Sequence, residues 1–250
     1  MKSLPKVVIC MPTFNEAKNI GRMIDTLCKN VFPNIKDHEM TLLVFDDTSP
    51  DGTWKIVQEK MKIYKNLYLS LEKEKKGLGA GYARAFTYAI NKLKADAVME
   101  MDADFQHDPY DVPRFVKEFD NGADYVIGAR YIGGGSIPRE WGLDRKFLSV
   151  VGNLIYQVTL LMWDIHDFTT GFRLARVKGP LESINFNKVF SKSFAYKTRL
   201  LYEMKRHGAK LKEIPIKFNL RETGDSKMTT NTFLDSIKVI LQIWQERLLS

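Results

Sequence analysis

Ala97-Val98-Met99-Glu100-Met101-Asp102-Ala103-Asp104-Phe105-Gln106-His107 is an apolar run that ends on two carboxylates one residue apart. Four to five residues of Ala, Val and Met fit a buried strand. Working outward toward the N-terminus, the same grammar recurs. Lys6 to Met11 is an apolar run stopped by Pro12, and Glu16 to Asn30 places Ile20, Met23, Ile24 and Leu27 at helical spacing. Thr41 to Phe45 reads as a second strand, Asp51 to Tyr64 as a helix, Leu67 to Leu71 as a third strand and Leu78 to Leu93 as a helix. Strands alternating with helices predict a mainly parallel central sheet flanked by helices, joined by right-handed crossovers, an α/β fold. Ligands in such sheets gather at the carboxyl ends of the strands.

Three of those ends carry chemistry. If extended geometry continues past Met101, Asp102 and Asp104 project to one side. Mg²⁺ or Mn²⁺ is held by such hard oxygen pairs together with substrate phosphates, and Gln106 and His107 are placed to finish or orient the shell. Taken alone, the pair reads equally as an acidic cap leading into Asp108-Pro109. At the second end stands Asp46-Asp47-Thr48-Ser49-Pro50-Asp51-Gly52-Thr53. Asp51 or Ser49 suits a helix cap, which leaves Asp46 and Asp47 to orient a base or ribose. Pro12-Thr13-Phe14-Asn15-Glu16 follows the first strand and offers an aromatic wall and an acidic contact. The glycines of Lys76-Gly-Leu-Gly-Ala-Gly81 lack P-loop spacing, and they do not follow the first strand as a dinucleotide fingerprint would.

The second half differs. Met1 to Tyr125 holds 18 Lys and Arg against 19 Asp and Glu, whereas Val126 to Ser250 holds 20 against 11. The whole excess of +8 therefore lies after the acidic motifs, and charge alone fits solubility, nonspecific attraction to nucleic acid or a surface that holds anionic lipid or phosphate. No zinc-finger spacing, RNA-recognition signature or stacking strip accompanies it, which argues against nucleic acid. Tyr125 to Ala129 reads as a strand, Gly133 to Gly135 as a loop, Lys146 to Met162 as an apolar helix and Ala195 to His207 as another helix. Glu213 to Phe218 alternates and contains Pro215, an edge-strand pattern. Thr232 to Leu249 is amphipathic, with Phe233, Ile237, Ile240, Leu241, Trp244 and Leu248 on one face. The apolar stretch around Leu154 to Trp163 is far short of the ~20 residues that a spanning helix needs, so the sequence predicts no transmembrane segment. Cys10 and Cys28 read as reduced core residues.

Pro-Thr-Phe-Asn-Glu at 12–16, Asp-Asp-Thr-Ser-Pro-Asp-Gly-Thr at 46–53, Gly-Leu-Gly at 77–79, Met-Asp-Ala-Asp-Phe-Gln-His at 101–107, Ile-Gly-Ala-Arg-Tyr at 127–131, Asp-Phe-Thr-Thr-Gly-Phe-Arg at 167–173, Glu-Ile-Pro-Ile at 213–216 and Arg-Glu-Thr-Gly-Asp-Ser-Lys at 221–227 occur in that order. This series resembles the family 2 glycosyltransferases, in particular the dolichol-phosphate mannose synthase branch and its polyprenyl-phosphate relatives. The resemblance implies a GT-A fold, Rossmann-like and built for nucleotide-diphospho-sugars, over residues 1–229, followed by the amphipathic helix at 230–250. It implies a GDP-sugar or UDP-sugar donor, GDP-mannose foremost, and an inverting transfer of the hexose to dolichyl or polyprenyl phosphate. Asp102, Asp104 and Gln106 would hold Mg²⁺ or Mn²⁺. Pro12, Phe14, Glu16, Asp46 and Asp47 would hold the nucleoside, Ala103 would line the donor site, and Arg221 and Lys227 would close over the diphosphate. Arg130 and Arg145, with Ser149, would bind the acceptor phosphate, and Asp104 would orient it. The expected location is cytoplasmic, peripheral at the cytoplasmic face of a membrane, anchored by its own helices or by a partner subunit. A UDP-glucose donor, a saccharide acceptor and a non-catalytic sugar-nucleotide-binding subunit stand as alternatives. The chain departs from the family at one place. Where Gly-Tyr and, five residues after the tyrosine, Glu are usual, it carries Ser193, Phe194 and Arg199.

Overall fold

Alternation along β1 (Lys6–Thr13) sends Val7, Ile9 and Met11 to one face of a sheet and Val8 and Cys10 to the other, and all five are fully buried. A strand buried on both faces belongs at the centre of a sheet with both sides covered. In the computed structural model, which describes residues 3–72, 77–189, 194–221 and 231–249, β1 lies between β2 (Glu39–Asp46) and β4 (Ala97–Glu100) and runs parallel to both. β3 (Leu67–Leu71) extends the parallel set beyond β2. On the other flank β6 (Arg173–Arg176) runs antiparallel to β4 and to β5 (Tyr125–Ala129), and β7 (Leu211–Pro215) closes that edge parallel to β5. The order is β3-β2-β1-β4-β6-β5-β7.

Pro12 does not end β1, contrary to the reading of the apolar run. The carbonyls of Lys6 and Cys10 accept from the β4 side, so the even residues face β4 and Pro12 would too. β4 stops opposite Cys10, and the missing N–H of Pro12 therefore costs no ladder bond. Pro215 ends the edge strand β7, in keeping with the edge-strand reading. β6 is the element that the sequence did not announce: Arg173-Leu-Ala-Arg176 is a four-residue strand with arginine at both ends.

Helices cover both faces. α1 (Ala17–Asp25), prolonged by a π turn over Thr26–Val31, and α2 (Thr53–Met61) cover the Val7, Ile9 and Met11 face. α3 (Leu78–Asn91) crosses to the opposite face, where Tyr82, Ala85 and Phe86 are buried, and α4 (Val112–Asp120) returns to the first with Phe115 and Val116. A Cβ on Gly81 would stand 2.8 Å from the Phe45 ring, so glycine there is what lets α3 lie close on β2. α5 (Leu143–Leu160), the short α6 (Phe186–Val189), α7 (Tyr196–Arg206) and α8 (Asn231–Leu249) complete the second face. Cys10 and Cys28 are buried free thiols.

The C-terminal helix docks by a narrow seam rather than by the face marked out in its sequence. Val239 and Ile243, one turn apart, are buried in the second core, while Ile237, Leu241, Trp244 and Leu248 remain exposed. Trp244 donates its indole N–H to the Thr159 carbonyl, and Arg247 reaches the Leu160 carbonyl at 2.7 Å. The Phe233 side chain lies outside the described residues, as do Lys76, Ser193 and Lys227.

Candidate active site

The strand order reverses at β1: β2 and β3 build away on one side, β4 on the other. Ligand crevices of open α/β sheets lie at such a switch point, outside the carboxyl ends. The loops there are strained. Asn15, Thr48 and Phe105, one after each of β1, β2 and β4, have φ of 58°, 51° and 60°. Side-chain residues seldom adopt that region, least of all a β-branched one such as Thr48.

What holds those loops is a set of short polar bonds. Asp46 is buried and spends its carboxylate inward, accepting from Thr13 Oγ1, Ser49 N and Ser49 Oγ, each at 2.7 Å. It ties the β1 and β2 ends together. Ser49 Oγ also accepts from Asn15 N at 3.0 Å, and Thr53 Oγ1 from Glu16 N at 2.9 Å. Asp51 accepts from Thr53 N and from Ala17 N, so one carboxylate serves the starts of both α2 and α1. Asp47, at the edge of the crevice, is met by Arg84 at 3.1 Å, and Arg84 also reaches Glu72 at 3.0 Å. Pro12 and Phe14 are half-buried beside them.

At the β4 end the two aspartates have different partners. Val98, Glu100 and Asp102 follow one face of the strand by parity. Asp104 is bonded at both oxygens: its Oδ1 accepts from Gln106 N at 3.1 Å and its Oδ2 from Arg221 Nε at 2.8 Å. Arg221 also donates to Glu16 at 3.2 Å, bridging the ends of β1 and β4 across the switch point. Gln106 donates its amide to the Asn219 carbonyl at 3.3 Å, and Ala103 is buried between the aspartates. Among the described residues no third His, Cys, Asp or Glu joins the pair in a metal-binding cluster. Two carboxylates with room for phosphoryl oxygens are nonetheless the donor set that Mg²⁺ or Mn²⁺ accepts in nucleotide sites.

His107 is a support rather than a ligand. It is buried, stacked on Phe172 at 4.9 Å, and its Nδ1 accepts from the Asp102 backbone N–H at 3.3 Å. Burial pushes its pKa down to about 3. The unfolded chain, with a histidine near 6.5, then takes up a proton that the native chain refuses between those values. This group's stabilisation is complete above pH 6.5 and is lost as the pH falls toward 3, by up to about 1.4 kcal/mol per pH unit. Urea denaturation at pH 7 and pH 5 is expected to differ by about 2 kcal/mol from this group, and the difference should shrink by that amount in His107→Gln.

On the β5 side the basic residues converge. Arg130 is buried and forks onto Asp167, Nε to Oδ2 at 2.7 Å and Nη2 to Oδ1 at 2.8 Å, with Nη2 also donating to Thr169 Oγ1. Burial disfavours charge on Asp167, yet the Arg130 guanidinium holds its carboxyl below the usual carboxylate range. Arg145 lies over the Trp141 ring at 3.8 Å. Burial and then the Arg130 charge lower its pKa, and among the described residues it has no carboxylate partner. Ser149 Oγ sits 2.5 Å from the Tyr131 hydroxyl. Arg130, Tyr131, Arg145 and Ser149 thus make a cationic corner with hydroxyl donors, suited to a phosphate.

The geometry brings together Pro12, Phe14, Glu16, Asp46, Asp47, Asp102, Ala103, Asp104, Gln106 and Arg221 at one rim, and Arg130, Arg145 and Ser149 at the neighbouring corner. Lys227 lies outside the described residues. Arg199, the departure from the family pattern, is turned away from the rim: it pairs with Glu203 at 2.7 Å and with Glu246 of α8 at 2.5 Å, clamping α7 to the C-terminal helix. Sequence reasoning missed Tyr131, the Asp167 anchor and Lys197, which is buried beside Asp102. The first two lie inside quoted motifs, but nothing in the sequence places Lys197.

Comparison with known proteins bears on this site. The model described as Glycosyl transferase family 2 matches residues 8–179. The chain is 32% identical over 233 residues to a polyprenol monophosphomannose synthase of Mycolicibacterium smegmatis, covering 93% of this chain and 84% of the relative. It is also 32% identical over 224 residues to an undecaprenyl-phosphate mannosyltransferase of Micrococcus luteus, covering 90% and 88%. Among solved structures, glucosyl-3-phosphoglycerate synthase from Mycobacterium tuberculosis with Mn²⁺, UDP and phosphoglyceric acid superposes with a TM-score of 0.64 at 16% identity, over 95% of this chain and 78% of the other. That likeness establishes the GT-A architecture.

Proposed function

The chain belongs to glycosyl transferase family 2, and from that membership we propose that it transfers mannose from GDP-mannose to a dolichyl or polyprenyl phosphate with inversion at the sugar carbon. The observation that carries this reading is the pairing of unlike sites on one rim. Carboxylates suited to a metal-bound diphosphate stand at the β1, β2 and β4 ends, and a two-arginine corner suited to a second phosphate stands beside them. An enzyme that used a sugar hydroxyl as acceptor would need a base in that corner instead.

In the proposed reaction a phosphate oxygen of the acceptor attacks the anomeric carbon from the face opposite the nucleotide, whose diphosphate leaves with the bonding electrons. The attacking oxygen is already ionised at neutral pH, so the chain's task is positioning rather than deprotonation. Arg145 and the Tyr131–Ser149 hydroxyl pair orient it, and Arg130, fixed by Asp167, presents its remaining edge. Phe14 and Asp47 flank the nucleoside, while Asp46 keeps their loops in register. A divalent ion held by Asp102 and Asp104 would offset the charge growing on the leaving diphosphate. Arg221, already poised across the crevice, would move onto the diphosphate when the donor enters.

No helix among the described residues is long and apolar enough to cross a membrane. Leu143, Phe147, Leu148 and Leu154 of α5 and Leu241 and Leu248 of α8 are nevertheless exposed, on two helices that pack together. Apolar side chains so displayed next to Arg145 and Lys146 suit helices lying in a lipid interface, where a polyprenyl phosphate presents its head group.

Labelled GDP-mannose and polyprenyl phosphate in phospholipid vesicles are expected to yield a labelled mannosyl lipid; label delivered only from UDP-glucose, or only to a soluble saccharide, would overturn the assignment. Arg145→Ala should raise the KM for polyprenyl phosphate about 10-fold, the scale of a hydrogen bond to a charged group, with the GDP-mannose Kd unchanged. A shift in the donor Kd instead would move Arg145 to the other site.

A further inference from the structure

Lys197, the second residue of α7, is 4% exposed. Its ammonium has neither a hydrogen bond nor an ion pair among the described residues, and it lies over the Phe194 ring, 5.4 Å from the centroid. It points into a gap that Gly171 leaves open. A Cβ on Gly171 would stand 2.3 Å from Lys197 Nζ and 3.5 Å from Asp102 Oδ2, so the ammonium and the carboxylate address the same small space from opposite sides. The next carboxylate along that face of β4, Glu100, is buried and accepts from the Tyr196 hydroxyl at 2.9 Å. Burial pulls the Lys197 pKa down, Asp102 and Glu100 resist it, and Arg173 and Arg130 reinforce it.

A buried, unpaired ammonium is expensive, and replacement by an apolar residue of similar size is commonly neutral or stabilising. A chain that keeps one beside a carboxylate pair gains by it when an anion arrives. The charge balance says which anion. Asp102 and Asp104 cancel one divalent ion, which leaves the donor's diphosphate to be met by other cations, and among the described residues Lys197 and Arg221 reach this pair.

We propose that Lys197 is a donor-binding residue: its ammonium takes a phosphoryl oxygen of the sugar-nucleotide diphosphate, entering the space beside Asp102 over Gly171. The inference rests on the glycosyltransferase reading of the rim and adds a cation to it.

Titration calorimetry with GDP and GDP-mannose in Mn²⁺, without acceptor, tests the proposal on the wild type, Lys197→Met and Gly171→Ala, with the melting temperature of each. Lys197→Met should bind both ligands about 10- to 100-fold more weakly, the fold-change of a hydrogen bond to a charged group, and melt at or above the wild-type temperature. Gly171→Ala, whose new Cβ must push the flexible ammonium aside, should weaken binding in the same direction while the lysine is still present. Equal donor binding by wild type and Lys197→Met overturns the proposal, as does unchanged donor binding with a raised KM for polyprenyl phosphate. If the wild type binds neither nucleotide, the glycosyltransferase reading falls with it; if the wild type binds and Lys197→Met binds as well, this inference alone falls.

Discussion

Asp102→Asn and Asp104→Asn are each expected to lower kcat/KM for mannosyl transfer by about 10³-fold, since a carboxylate-held cation supplies several kcal/mol of charge stabilisation as the diphosphate leaves. The two variants should reach that loss by different routes. Asp102 is partly exposed and the Lys197 ammonium lies close to it, so its amide keeps the local shape, and the Mn²⁺ concentration for half-maximal rate should rise. Asp104 is buried and bonded to Arg221. Its amide weakens that ion pair as well, which frees Arg221 to lean on Glu16 alone and should loosen GDP-mannose binding in addition. Neither change opens a cavity, Arg221 keeps Glu16 and Lys197 keeps the charge of Glu100, so both proteins should melt within a few degrees of the wild type. Full activity in both, at matched Mn²⁺, would remove the metal assignment and with it the mechanism.

The reasons that the rim was legible in the sequence are local, and the reasons that parts were not are long-range. Lys6 to Met11 and Ala97 to Met101 announce central strands because both faces of each are buried, and a parallel sheet then forces whatever follows them to its carboxyl edge. Asp102 and Glu16 were found that way. Arg173-Leu-Ala-Arg176 was not, because a strand of four with two arginines has no apolar run to announce it. Arg173 tolerates burial through the Phe168 and Lys197 carbonyls, the Tyr125 hydroxyl and the charge of Glu100, partners that no sequence window contains. Lys197 shows the same limit at the site: 95 residues from Asp102, in a helix that also carries Lys205 and Arg206, it reads as one more solvated lysine. Arg199 likewise marks a departure in sequence whose meaning, a clamp on Glu246, appears only once α8 is docked.

Asp167→Ala is expected to produce the largest loss of stability of any single change at this site. The Asp167 carboxylate is fully buried and accepts from the backbone N–H and guanidinium of Arg130 and from the N–H groups of Thr169 and Thr170. Removing it leaves a buried guanidinium and three backbone donors short of their acceptor. Breaking a buried pair in this way costs about 3–5 kcal/mol, which in a domain of this size lowers the melting temperature by roughly 6–20 °C. Acid should do the same by titration. The folded-state pKa of Asp167 is depressed, so its contribution is present above the ordinary aspartate value near 4 and is lost as the pH falls through the lower folded value. Two controls separate pairing from mere packing. Asp167→Asn keeps the shape and half the acceptors and should lose less. The double variant Arg130→Ala, Asp167→Ala no longer buries an orphaned charge and should be more stable than Asp167→Ala alone, though as inactive toward polyprenyl phosphate. A double variant whose loss relative to wild type equals the sum of the two single losses would mean that the two side chains act independently. Arg130 would then be a substrate ligand held by the backbone, not one positioned by Asp167.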